Sequence, residues 1–133
     1  MAMSGTELTH VGQLALLVTE VAAAERFYRD VLTLEHLFTF GDLTFFRCGS
    51  TRLFLRAVPA AEWSVGSTVY FAVDDLDATC ARLASDGVRF TAPSQLIHRH
   101  EDGAEEWMAF FDDPDGNSLA LMTRRGASAS SDD

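Results

Sequence analysis

The side chains of this sequence that could do chemistry are few. His98 and His100 stand two apart with Glu101, Glu105 and Glu106 close behind. Imidazole and carboxylate are ligands for divalent transition metals, and an extended backbone would turn both histidines the same way. The same residues also read as a solvated polar loop, since Asp102-Gly103 is a turn pair. Tyr70 with His100 would make a metal-free acid–base pair. His10 and His36 occur singly near strand ends and read as surface or edge histidines. Arg52 and Arg56 flank Phe54 on one side of a strand, where a guanidinium fork could take an anionic group. Alternatively they reach out to solvent at the sheet edge; Arg47 is open in the same way. Cys48 and Cys80 lie too far apart for a CxxC or zinc-finger spacing and read as reduced core thiols. No Ser-His-Asp spacing, P-loop or G-x-G-x-x-G occurs, so triad hydrolysis and nucleotide cofactors have no support.

Charge narrows the partners. There are 20 acidic residues against 10 basic ones, every base is Arg, and the net charge is −10. Nucleic acid and anionic membrane surfaces are therefore disfavoured as partners. The chain has 133 residues, 47% of them hydrophobic and ten of them Phe, which suits one globular domain with an ample core. The apolar runs are too short for a membrane-spanning helix, and no secretory signal is visible, so the expected location is cytoplasmic.

The elements that must position these residues come in two copies. Leu14-Ala15-Leu16-Leu17-Val18-Thr19-Glu20 can be laid over Val69-Tyr70-Phe71-Ala72-Val73-Asp74-Asp75, and each is an apolar strand ending in an acid. A helix is predicted over 21–32, with Ala24, Phe27, Tyr28 and Val31 on one face and Thr19 or Glu20 at its start. A second is predicted over 76–85, with Leu76, Thr79, Cys80 and Leu83 as the matching stripe and Gly87 closing it. Strands are predicted at 36–40, 43–48 and 52–57 in the first half, and at 89–90, 107–112 and 118–123 in the second. Segment 98–106 is a polar loop. Asp113-Pro114-Asp115-Gly116-Asn117 is a strong turn. The domain runs over 8–125, with modules at 8–58 and 68–124, a linker at 59–67 and a disordered tail at 126–133. Strand parity puts Gln13, Ala15 and Leu17, with Phe54, on one face. It groups Thr68, Tyr70 and Ala72 with Ala120 and Met122 in the same way. Phe38, Phe40, Trp63 and Trp107 are candidate walls.

Two segments carry a family resemblance. Phe27-Tyr28-Arg29-Asp30-Val31-Leu32 and Phe111-Asp112-Asp113-Pro114-Asp115-Gly116-Asn117, set on a duplicated β-α-β-β-β pattern, resemble the vicinal oxygen chelate superfamily. That group includes glyoxalases, bleomycin-resistance proteins, extradiol dioxygenases and related enzymes. The resemblance implies an α+β fold, two β-α-β-β-β modules whose curved mixed sheet encloses a cleft, and a homodimer. It also implies four metal-ligand positions, which fall here on Gln13, Phe54, Thr68 and Ala120. Two of these cannot ligate and none is charged, so the metal is expected to be absent. The family has Gly where this chain has Thr33, so that turn is expected to be rebuilt or strained. The expected function is binding of a small aromatic or amphipathic molecule in a metal-free cleft. Its expected contacts are Gln13, Leu17, Phe54, Arg56, Thr68, Tyr70, Trp107, Ala120 and Met122. The alternative is a superfamily enzyme of lyase, isomerase or dioxygenase type. It would use a divalent metal at Gln13, His98 and His100, or acid–base chemistry by Tyr70 and His100.

Overall fold

The computed structural model of the chain describes residues 7–126, and it divides into two compact units between Ser64 and Val65. Each is a β-α-β-β-β module, so the architecture is α+β. In the first, the apolar run Gln13–Val18 forms β1. Val21–Arg26 forms α1, and Glu35–Phe40, Leu43–Cys48 and Thr51–Ala57 form β2, β3 and β4. The strand order is β1-β4-β3-β2, with β1 parallel to β4 and the other pairs antiparallel. The helix packs on β3 and β4. Ala24 and Tyr28 are its buried residues, and Tyr28 meets Phe46 with ring centroids 6.0 Å apart. Phe46, Leu53, Leu55 and Val18 complete this core, all nearly or fully buried. Their burial is the main stabilising contribution of the module, about 1.5–3 kcal/mol for each large side chain.

The second module repeats the plan. Val69–Ala72 forms β5, Leu76–Ser85 forms α2, and Gln95–Arg99, Glu105–Asp112 and Ser118–Arg125 form β6, β7 and β8, in the order β5-β8-β7-β6. Asp75 caps α2 by accepting from the Ala78 N–H at 3.0 Å. Leu76 and Leu83 turn into a core with Phe111, Leu119 and Leu121. Among the described residues no helix is long and apolar enough to cross a membrane.

The structure corrects several expectations. The first helix does not run on as an α-helix: after Arg26 it widens into a π-helical turn, Phe27–Val31. Glu20 stands at its N-cap without a side-chain cap bond. Thr33, at the end of that turn, takes φ +60, and its hydroxyl donates to the Leu32 carbonyl at 2.6 Å. The turn is therefore kept and strained. In the second module residues 89–90 form no strand, and Phe90 makes a single bridge to Phe111. The third strand of that sheet is β6, which includes His98, so the loop expected at 98–106 shrinks to a turn around Gly103. The 113–117 turn is organised by Asp113. This buried carboxylate accepts from the backbone N–H groups of Asp115, Gly116 and Asn117 and from the Asn117 amide, all at 2.9–3.0 Å. Of the expected tail, Gly126 is described, and residues 127–133 lie outside the described part.

Candidate functional site

In each module the helix covers one face of its sheet and leaves the other open. The open face of the first sheet reads as three cross-strand rows, in the order β1, β4, β3, β2. They are Gln13, Arg52, Arg47, Glu35; then Ala15, Phe54, Phe45, Phe38; then Leu17, Arg56, Leu43, Phe40. A bulge after His36 brings Phe38 and Phe40 onto this face. Phe38 stacks on Phe45 with centroids 4.4 Å apart, and Phe45 leans on Phe54 at 5.2 Å. Phe38 is 46% exposed and Phe40 69%. Arg52 donates Nε to the Gln13 Oε1 at 2.8 Å, and its guanidinium lies 5.0 Å from the Phe45 ring centroid. Arg47 faces Glu35 at 3.9 Å. Arg56 makes no side-chain hydrogen bond or ion pair with any described residue. Because β4 lies between β1 and β3, Arg52 and Arg56 stand on the face of the sheet and do not reach out along its edge. Trp63 serves β1 by donating its indole N–H to the Leu17 carbonyl at 2.8 Å.

The open face of the second sheet is softer. Tyr70, Ala120 and Phe110 share one row, and Ala72, Met122, Met108 and Gln95 the next. Tyr70 and Phe110 meet edge to face at 5.9 Å, and Ala120 between them in register is fully buried. Thr68, just before β5, donates to the Ser118 hydroxyl at 3.1 Å. A depression of about 260 Å³ opens where Ala72 and Met122 meet Glu106 and Arg124. A larger one, about 580 Å³, lies beside α2 against Cys80, Phe90 and Pro93, on the helix side of this sheet and away from its open face.

Two expectations are corrected here. Trp107 pairs with Thr123 in register and so stands on the helix-side face, where Arg125 lies over its ring at 4.6 Å. It is no wall of the open face. Tyr70 and His100 belong to opposite edges of the sheet, β5 and the end of β6, with two strands between them. They cannot exchange a proton. His98 and His100 do come together, with rings perpendicular and centroids 4.4 Å apart, and His100 Nε2 meets the Glu106 carboxylate at 2.7 Å. Glu105 is turned away: hydrogen bonds from Arg99 and then Trp107 hold its carboxyl below the usual range. Glu101 is exposed in the following turn.

A family model described as the Glyoxalase/Bleomycin resistance protein/Dioxygenase superfamily matches residues 10–121. The chain belongs to this superfamily. A lactoylglutathione lyase from Agrobacterium tumefaciens has a similar structure, with TM-score 0.68, 27% identity, and 86% of this chain and 93% of that one covered. So has a glyoxalase/bleomycin resistance protein/dioxygenase from Alicyclobacillus acidocaldarius, with TM-score 0.72, 16% identity, and 88% and 92% covered. A superfamily member from Sphaerobacter thermophilus gives 0.66, 20%, 86% and 97%. No curated protein matches the chain.

Within the superfamily fold, the four positions that the resemblance assigns to metal do not suit one. Gln13 is the only amide oxygen in the set, and it already accepts from the Arg52 guanidinium. A dication there would sit against a fixed positive charge with no carboxylate to offset it. Phe54 and Ala120 have no donor atom, and Thr68 has a neutral hydroxyl. Among the described residues no three His, Cys, Asp or Glu side chains gather as a cation would require.

Proposed function

We propose that this superfamily member binds a small, flat aromatic or amphipathic molecule without a metal, against the open face of the β1-β4-β3-β2 sheet. The observation that carries the reading is the Phe38–Phe45–Phe54 ladder left open on that face, beside a Gln13 oxygen already taken by Arg52. Aromatic rings gain from offset stacking and area burial, and a few polar groups fix the ligand's orientation. Gln13, Leu17, Phe54 and Arg56 are the contacts proposed on this sheet. Thr68, Tyr70 and Met122 are the candidates on the second; Ala120, expected as a contact, is fully buried beneath Tyr70 and Phe110 and is not one.

The test is thermal unfolding of chelator-treated protein with a panel of bicyclic aromatics. A ligand that binds only the folded state raises the apparent Tm, and the rise should persist in EDTA. Binding or turnover that vanishes with EDTA and returns with Ni, Mn, Zn or Fe would overturn the reading. We also propose a homodimer, since β2 and β6 each end a sheet and open edges tend to be covered. Sedimentation at two protein concentrations checks it. A cytoplasmic location is proposed on the two free, half-buried thiols, Cys48 and Cys80.

A further inference from the structure

The arginines of this chain are not distributed alike. Arg29, Arg82, Arg99 and Arg125 each hold a carboxylate within 3.4 Å. With 20 acidic residues to 10 basic ones, such pairing is the expected state. The open face of the first sheet departs from it. Its three rows carry Arg47, Arg52 and Arg56 against one carboxylate, Glu35, at the far edge. Arg47 and Arg52 are direct cross-strand partners, an arrangement of like charges that costs stability. Arg52 is pinned by Gln13 and by the Phe45 ring, whereas Arg56 is tied to nothing described. Between the two cationic rows lies the phenylalanine row, with Ala15 leaving room at its end. Phe54 and Arg56 are two residues apart on one strand, about 6.7 Å along it.

We propose that this face selects aromatic carboxylates, the ring lying on Phe54 and Phe45 and the carboxylate held by Arg56. The inference rests on the binding-face reading above and adds the ligand's charge. A planar guanidinium fork matches a carboxylate in bidentate geometry, and a single free fork without converging backbone N–H groups suits a singly charged anion. Arg52, with Arg47 partly offset by Glu35, supplies the remaining positive field, which turns away a cationic aromatic of the same shape.

Three naphthalene probes of matched shape test it: naphthoate, naphthamide and naphthylmethylammonium, titrated in EDTA and followed by heteronuclear NMR. Naphthoate should bind about tenfold more tightly than naphthamide, the ammonium compound most weakly, and added salt should erode the difference. In Arg56→Gln the advantage of naphthoate over naphthamide should disappear, with Tm little changed because Arg56 makes no hydrogen bond or ion pair with a described side chain. Equal affinity for all three probes, or a naphthoate preference intact in Arg56→Gln, would overturn the charge inference and leave the binding face standing. If no probe moves the resonances of Phe45 and Phe54, the binding face itself fails. A dimer that dissociates in Arg56→Gln would show that a second copy covers the face, and that too would overturn the proposal.

Discussion

Thr33 holds a β-branched side chain at φ +60, a backbone region that costs an L-residue about 1–2 kcal/mol. Glycine removes that cost but loses about 0.5–1 kcal/mol to its freer unfolded chain. Thr33→Gly should therefore stabilise the protein by up to about 1 kcal/mol, raising Tm by about 3 °C, measured by circular dichroism. A lower Tm would mean that the Thr33 bond to the Leu32 carbonyl outweighs the strain. Asp113→Ala should act oppositely, leaving buried N–H groups unmatched, at a cost of about 3 kcal/mol in denaturant unfolding. Glu25 governs an acid effect. The hydrogen bond from Thr39, with His36 and Arg29 adding to it against partial burial, holds its carboxyl below the usual range. The fold favours the ionised form, so its contribution is complete above the ordinary glutamate range and is lost as pH falls through the lower native value. Glu25→Gln should flatten the fall of Tm below about pH 4.5. At this scale the sequence announced Thr33, because a β-branched residue replaces the family's Gly. It was silent on Gln13 and Arg52, because strand parity tells which face a side chain takes and not which atom it meets.

Elements were legible where their period is clean. The α2 stripe Leu76, Thr79, Cys80 and Leu83 marks its helix from Leu76 to Ser85 as expected. β6 was not legible. Gln95–Arg99 has no alternation, since both faces of this edge strand are exposed, and a bulge between Leu96 and His98 shifts its register. The π-helical turn was also hidden, since Phe27 and Tyr28 satisfy the α-helical period equally well. An exposed edge strand opens at little cost. Amides of β6 should therefore exchange with deuterium well before those of β7 and β8 in hydrogen-exchange mass spectrometry. Equal protection in solution would mean that another chain covers that edge.

Across the whole molecule, the repeat and its fold were readable because two strand–helix pairs share one pattern. The chemistry was less so, because the positions that the resemblance assigns to metal carry Gln13, Phe54, Thr68 and Ala120, and such a set names no ligand. The division of labour between sheet faces has a measurable signature. Phe46 is fully buried against α1, and Phe46→Ala should cost about 3–5 kcal/mol. Phe54, half-buried on the open side, should cost far less, and comparison of the two by chemical denaturation checks this. Since period-two alternation keeps the residues that hold the sheet together apart from those it displays, the displayed set can be randomised without unravelling the scaffold. A library varying Ala15, Phe38, Phe54 and Arg56 should then stay folded in most of its members, a tolerance built into the pleat.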